Sequence, residues 1–182
     1  TVSSIITIQV VYCLTQTHNM KLIIDIEANG HLEDATKIHC VVCKEYDKDE
    51  WFYFYENDAD KFREFIVKTV SDDGLDIKFI GHNIFGYDFP LLERLWGVYL
   101  PISTDFPQVA KFPWLAALDT LSLSRSLYPD REGGHSLERW GKYLGFPKIE
   151  FNDFSKFSDE MLEYCKQDVL LTERVFKELM NE

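Results

Sequence analysis

The chain has 182 residues, 46% hydrophobic and 15% aromatic, which is enough to bury one core, and we expect a single domain. The formal net charge of -12 argues against a protein that coats nucleic acid through a basic surface. It does not exclude an enzyme that holds a chain end through metal ions. No segment has the pattern of a membrane span or signal peptide, so we expect a cytoplasmic protein without membrane contact.

The four cysteines lack the spacing of a disulfide framework or a zinc site. Cys40 and Cys43 form an isolated C-x-x-C inside a predicted strand, while Cys13 and Cys165 stand alone. We therefore expect buried free thiols in a reducing compartment.

Residues 1–19 precede Met20, which stands immediately before a strongly predicted strand. We interpret residues 1–19 as a non-native or upstream extension and residues 20–182 as the domain. Positions 5–12 have strong β character, so they are predicted to pair with a sheet edge or with another copy of the chain if they are ordered.

The apolar stretch 21–27 predicts a buried strand that carries two carboxylates near its end. Asp25 and Glu27 are two positions apart and share one face, with Leu22, Ile24 and Ile26 on the opposite face. Ionised carboxylates in an apolar setting repel each other and lose hydration unless a cation compensates. A divalent metal ion is the simplest such cation. A D-x-E pair considered alone is more often solvated surface charge.

The middle of the chain predicts a hairpin, a helix and a further strand. Strands are predicted at 38–43 and 51–55, joined by the polar turn 46–50. Apolar residues at helical spacing predict a helix over 58–70, which Asp72-Asp73-Gly74 ends. A fourth strand follows at 77–80, and Pro90 opens the next helix with Asp88 at its entrance.

The second half predicts one more strand and three helices. The strand 115–118 leads to Asp119, which caps a helix to residue 127, and residues 128–134 form a mobile loop. Ser136 caps the next helix, and the last begins at Ser158 and runs to the end of the chain, with a break allowed within it. These elements make an α/β fold, a mixed five-stranded sheet covered by helices. Ligand sites are expected at its strand ends and helix starts.

Tyr164 and Asp168 are four residues apart and project from one face of the last helix. Together with Asp25-x-Glu27 on the first strand and Asp88 after the fourth, they resemble the three motifs of the DEDD exonuclease superfamily, tyrosine branch. Further blocks resemble the proofreading exonuclease domain of phage family A DNA polymerases. These blocks are residues 25–29, 82–83 with 87–88, 118–121 with 123–125, and 135–138 with 140–141.

The resemblance implies a ribonuclease-H-like fold and a metal-dependent 3′–5′ exonuclease that releases nucleoside 5′-monophosphates. Two divalent ions, Mg²⁺ or Mn²⁺, would be held by Asp25, Glu27, Asp88 and Asp168. Tyr164 would orient the attacking water or a phosphate oxygen. The implied partners are a single-stranded DNA 3′ end and a polymerase domain or subunit.

The resemblance also implies a set of residues that contact the terminal nucleotide, namely Ala28, Asn29, His31, Leu32, His82, Asn83, Tyr87 and His135. Several of them have structural alternatives. His82 and Asn83 could tie the strand end to the helix start, Tyr87 could belong to the core, and a structural hydrogen bond is favoured for His135. Asp119 is interpreted as a helix cap rather than a fifth ligand.

Two other functions remain open from the sequence. An RNA-processing exonuclease of the same branch would carry the same acids, because contacts to the 2′-OH are what separate the sugars. A catalytically silent single-strand-binding module of a polymerase would keep the fold without the chemistry.

Overall fold

The computed structural model describes residues 19–71, 76–100 and 115–181. The predicted extension lies almost wholly outside these residues, as do the Asp72–Gly74 helix end and Cys13. Within them no helix is long and apolar enough to cross a bilayer.

The described residues form a five-stranded sheet flanked by five helices. The strands are β1 (Asn19–Ala28), β2 (Ile38–Glu45), β3 (Trp51–Tyr55), β4 (Asp76–Gly81) and β5 (Leu115–Asp119). The helices are α1 (Ala59–Ser71), α2 (Asp88–Trp96), α3 (Thr120–Leu127), α4 (Leu137–Tyr143) and α5 (Asp159–Met180). The predicted α/β architecture is confirmed.

β1 lies at the centre of the sheet, whose strand order is β3-β2-β1-β4-β5. It pairs antiparallel with β2 and parallel with β4, and β4 pairs parallel with β5. The sheet is therefore mixed, and the carboxyl ends of its parallel strands meet at one edge. Asp25 and Glu27 lie near that edge, and the chain enters α2 from the end of β4 close by.

The alternation predicted for β1 is confirmed by its packing. Leu22, Ile24 and Ile26 belong to a core cluster on one face of the sheet, together with apolar residues of α1 and α2. Ile23 belongs to a second cluster on the other face, where α5 packs against β1 and β2. The odd-numbered face of β1, which carries both carboxylates, is thus the face that α5 covers.

Two details of the helices differ from the sequence expectation. α5 is continuous over 22 residues, and the break that the sequence allowed is absent from it. The helix is uninterrupted because no glycine or proline occurs between Asp159 and Met180. α2 begins at Asp88, two residues before Pro90. Proline fits there because the amide N–H groups of a first turn have no partner within the helix.

The predicted caps are present. Asp119 accepts hydrogen bonds from the backbone N–H groups of Leu121 and Ser122 and so caps α3. Ser136 caps α4 and Ser158 caps α5 in the same way. Each side chain satisfies a backbone donor that the first turn of a helix otherwise leaves free.

Candidate active site

Two carboxylates of β1 and one thiol of α5 converge beneath the helix. The possible ligand atoms of Asp25, Glu27 and Cys165 all lie within 4.8 Å of one another. The Cys165 thiol donates to Asp25 Oδ2 at 3.3 Å. Because strand side chains two apart point the same way, the D-x-E spacing places both acids toward α5.

The other two predicted acids are buried next to this pair. Asp88, the first residue of α2, is 3% exposed, and Asp168 of α5 is 4% exposed. The Oδ1 atoms of Asp88 and Asp168 are buried and have no hydrogen-bond partner among the described residues. Buried polar atoms are normally paired, so an unpaired oxygen on each of two carboxylates that interact electrostatically with Asp25 indicates a site built for a ligand.

Burial raises the pKa of all four carboxyl groups, and repulsion from a neighbouring carboxylate adds to the rise in Asp25, Glu27 and Asp88. Burial, followed by repulsion from Asp168, raises the pKa of Asp25 from 3.8 to about 7. Burial and then Asp25 raise the pKa values of Glu27 and Asp88 well above their usual range, and burial raises that of Asp168. The four groups therefore share one electrostatic environment, and ionising them together costs free energy that a bound cation would recover.

A lysine that the sequence analysis missed lies within this acidic group. Lys148 Nζ is 2.5 Å from Asp168 Oδ2 and 4.8 Å from the centre of the Tyr164 ring. Burial alone would lower the pKa of Lys148, but Asp168 and Tyr164 outweigh burial and raise it, so the side chain stays charged. No sequence signal marks Lys148, because it lies in an irregular segment between α4 and α5.

Tyr164 shares one face of α5 with Asp168, as predicted. Its ring packs against Phe151 and Phe154, with centroid distances of 5.6 and 6.0 Å. Burial and the charge of Asp168 raise the pKa of the phenol, whereas Lys148 lowers it. Tyr164 is therefore a neutral O–H group at physiological pH, suited to hydrogen bonding rather than to removing a proton.

Cys165 is a second residue of the site that the sequence analysis missed. It is fully buried, and burial, followed by Cys40, raises its pKa well above the usual value. Cys40, Cys43 and Cys165 are all buried free thiols, as predicted. Helical periodicity could have identified Cys165, since it precedes Asp168 by three residues and shares its buried face.

The turn between β4 and α2 ties several predicted substrate-binding residues to the scaffold. His82 Nδ1 lies 2.9 Å from Thr120 Oγ1, and burial lowers the His82 pKa to about 4, so the imidazole is neutral. The Asn83 backbone N–H donates to Asp119 Oδ1 at 2.9 Å. Asn83 has a φ of 65°, a left-handed conformation that asparagine tolerates, and its side chain is exposed.

Tyr87 connects this turn to the loop after β1. Its hydroxyl donates to the Gly30 carbonyl at 2.8 Å. Burial, together with the charges of Glu27, Asp88 and Asp25, raises the pKa of Tyr87, which shows that the phenol lies beside the acids. Tyr87 thus closes one side of the site.

The remaining candidates after β1 differ in how they are placed. Ala28 is buried, Leu32 is half-buried against the core, and His31 is exposed. The Asn29 side chain accepts hydrogen bonds from the backbone of Thr36 and residue 37 and so holds the loop together. Only part of this stretch presents free side chains.

His135 makes the structural hydrogen bond that the sequence analysis favoured. Its Nδ1 lies 2.8 Å from Ser124 Oγ, which also accepts from the Trp140 indole N–H at 3.0 Å. Because the indole nitrogen can only donate, the Ser124 hydroxyl proton is free for His135 Nδ1.

A groove of about 720 Å³ adjoins the acids and runs between α4 and the segment before α5. Its lining includes Leu137, Lys142, Lys148, Phe151 and Tyr164. Its lysines are already paired, Lys142 with Glu138 and Lys148 with Asp168, while Phe151 and Tyr164 are rings of the type on which bases stack.

The donor set fits a hard divalent cation. Mg²⁺ and Mn²⁺ prefer carboxylate and water oxygens, and the four acids supply carboxylate oxygens. Two of these oxygens have no hydrogen-bond partner among the described residues. The residues that could hold metal are Asp25, Glu27, Asp88 and Asp168.

The sequence is similar to two phage polymerases, although no family model matches it. It is 29% identical to the DNA-directed DNA polymerase of Escherichia phage T7 over 196 residues, 88% of this chain. The DNA-directed DNA polymerase of Enterobacteria phage T3 matches with the same identity and coverage. The chain spans 27% of the length of these relatives.

The fold matches solved nuclease structures. Brucella melitensis NrnC with bound Mg²⁺ superposes with a TM-score of 0.61 at 21% identity, over 92% of this chain and 75% of that chain. NrnC bound to pGG gives a TM-score of 0.60 at 20% identity with the same coverage. This likeness confirms the ribonuclease-H-like sheet. The chain is thus similar in sequence to two phage DNA polymerases and in fold to solved nucleases, and it carries clustered acids at the edge of its sheet.

Proposed function

We propose that this domain is a metal-dependent 3′–5′ exodeoxyribonuclease of the tyrosine branch, which removes nucleoside 5′-monophosphates from a single-stranded or frayed DNA end. The observation that carries the proposal is the convergence of the half-buried Asp25 with the buried Glu27, Asp88 and Asp168 at one edge of the sheet, with the pKa values of all four raised. Clustered carboxylates of this kind do not stabilise the folded protein unless cations bind to them.

In this proposal Asp25, Glu27, Asp88 and Asp168 hold two Mg²⁺ or Mn²⁺ ions. Bound ions of this kind lower the pKa of water and stabilise the leaving oxygen of a phosphodiester. That NrnC has been solved with bound Mg²⁺ supports the choice of metal. The net charge of -12 is then compatible with an anionic substrate, because the local positive charge comes from the ions.

The chain's own residues have positioning roles. Tyr164 donates its O–H to the attacking water or to a phosphate oxygen, and its packing against Phe151 and Phe154 fixes the ring. Lys148 places a positive charge beside Asp168, where a phosphate would approach. Among the residues expected to contact the terminal nucleotide, the exposed side chains of His31 and Asn83 are the ones free to reach it, whereas Asn29 and His135 hold the surrounding loops.

DNA is the proposed substrate because the sequence similarity is to DNA-directed DNA polymerases. For the same reason we propose that it works with a polymerase domain or subunit in proofreading. Its buried free thiols favour a reducing compartment, and we propose the cytoplasm, that of the host if a phage encodes it.

RNA is the alternative substrate. The acids and Tyr164 act on the phosphate and do not distinguish the sugars. The shared fold with NrnC, which has been solved bound to pGG, keeps short oligonucleotides among the candidates.

The test uses 5′-labelled DNA and RNA strands of one sequence, with wild type and Asp25→Ala, in Mg²⁺, Mn²⁺ and EDTA. The proposal expects a ladder that shortens from the 3′ end on DNA and is lost in EDTA and in the variant. Faster shortening of RNA would favour the RNA-processing enzyme. Binding of both strands without shortening would favour the silent binding module.

A further inference from the structure

We propose that Asp25, Glu27 and Cys165 form a mixed carboxylate–thiolate site for a thiophilic divalent cation such as Zn²⁺, which competes with Mg²⁺ for the same acids. The inference stands on the placement of three side chains and not on the proposed reaction. A chain without nuclease activity could therefore still confirm it.

The geometry suits a small tetrahedral ion. The three ligand atoms lie within 4.8 Å of one another, and Cys165 Sγ is 3.3 Å from Asp25 Oδ2. Zinc–sulfur bonds of about 2.3 Å and zinc–oxygen bonds of about 2.0–2.2 Å place neighbouring tetrahedral ligands roughly 3.5 Å apart. The observed spacing needs only small side-chain adjustments to meet these distances.

The surroundings indicate a cation site independently of the cysteine. The buried Oδ1 atoms of Asp88 and Asp168 have no partner among the residues that the structure describes, and both carboxylates interact electrostatically with Asp25. Three protein ligands with a fourth position open to water is a common zinc arrangement. An all-oxygen site favours hard Mg²⁺, whereas one sulfur shifts the preference toward zinc.

Binding involves no oxidation or reduction. The S–H bond of Cys165 is replaced by a sulfur–metal bond, and the released proton passes to the buffer. The ion is then held by Asp25 and Glu27, which Mg²⁺ also requires, so the two metals compete for these two carboxylates.

Cd²⁺ is the probe, because a cadmium–thiolate bond gives a charge-transfer band in the ultraviolet. All proteins carry Cys13→Ser, since Cys13 lies outside the described residues, and Cys40→Ala, since the Cys40 thiol lies against Cys165 and could bind Cd²⁺ in its place. We expect the band in this background and in Cys43→Ala, a matched control for a thiol on the opposite face of β2. Cys165→Ser, which keeps a hydroxyl beside Asp25, should lose the band and bind Zn²⁺ at least ~10-fold more weakly.

A band of unchanged intensity in Cys165→Ser, or no band in the background protein, overturns the proposal. Circular dichroism establishes whether the serine variant folds. If it does not fold, Asp25→Asn decides the question, because every thiol of the background protein remains. A Cd²⁺ affinity at least ~10-fold weaker in Asp25→Asn supports the shared site, and an unchanged affinity contradicts it.

Discussion

Replacing Asp25 with asparagine should stabilise the metal-free protein at alkaline pH. Burial and the charge of Asp168 raise the pKa of Asp25 from 3.8 to about 7. Such a rise corresponds to about 4 kcal/mol of folding free energy lost once the group is ionised. Solvent screening of this partly accessible side chain and its shared titration with the other acids reduce the expected gain to about 2–4 kcal/mol.

The sign of the pH dependence follows from which state binds the proton more tightly. The folded chain holds the Asp25 proton up to about pH 7, whereas the unfolded chain releases it near pH 4. Wild-type stability should therefore fall as pH rises through this window and then level off. Asparagine cannot ionise, so the variant should show a shallower fall.

Urea unfolding in EDTA, at about pH 5 and about pH 8, measures this difference. We expect the advantage of Asp25→Asn to be larger at the higher pH. Adding Mg²⁺ at pH 8 should reverse the order, because only the wild type retains the full set of carboxylates. Asp130→Asn, in the exposed turn before α4, is the matched control. A variant less stable than wild type at pH 8 in EDTA would refute the reasoning.

Three further predictions concern Lys148, Tyr164 and the cap of α5. Lys148→Met leaves Asp168 without its cation and should lower the free energy of unfolding by about 2–3 kcal/mol in EDTA, and by less with Mg²⁺. Thermal unfolding measures this loss, and an unchanged midpoint would contradict the pairing of Lys148 with Asp168. Tyr164→Phe should slow cleavage about 10–100-fold in single-turnover assays with little change in stability; an undiminished rate would remove the hydroxyl from the mechanism. Ser158→Ala removes the hydrogen bond from the Met161 N–H and should lower the free energy of unfolding, measured in urea, by about 1 kcal/mol without altering the cleavage rate. Ser158→Asn should retain the cap of α5 and the stability.

The arrangement of the fold was predictable because it depends on local patterns. Alternation along β1 identified the face that carries Asp25 and Glu27, and helical spacing placed Tyr164 with Asp168. The cap at Asp119 followed from its position between a strand and a helix. Each of these inferences needs only residues near one another in the sequence.

The features that escaped prediction depend on contacts between distant residues. Lys148 meets Asp168 only because the segment before α5 folds back along that helix. Cys165 meets Asp25 across 140 sequence positions, and no motif announces that contact. The continuity of α5 was also missed, since its length exceeds that of a typical helix while nothing in it breaks the hydrogen bonding.

The central claim is that the four clustered acids bind the metal ions on which cleavage depends. The most direct test is a titration of the protein with Mn²⁺, in which electron paramagnetic resonance measures the free ion. The cleavage rate on a 5′-labelled DNA strand is measured in the same samples. The account predicts two bound ions per chain and a cleavage rate that rises as they bind. Asp25→Asn should lose both the ion binding and the cleavage. Cleavage that proceeds with no ion bound, or Mn²⁺ binding that Asp25→Asn leaves unchanged, would contradict it.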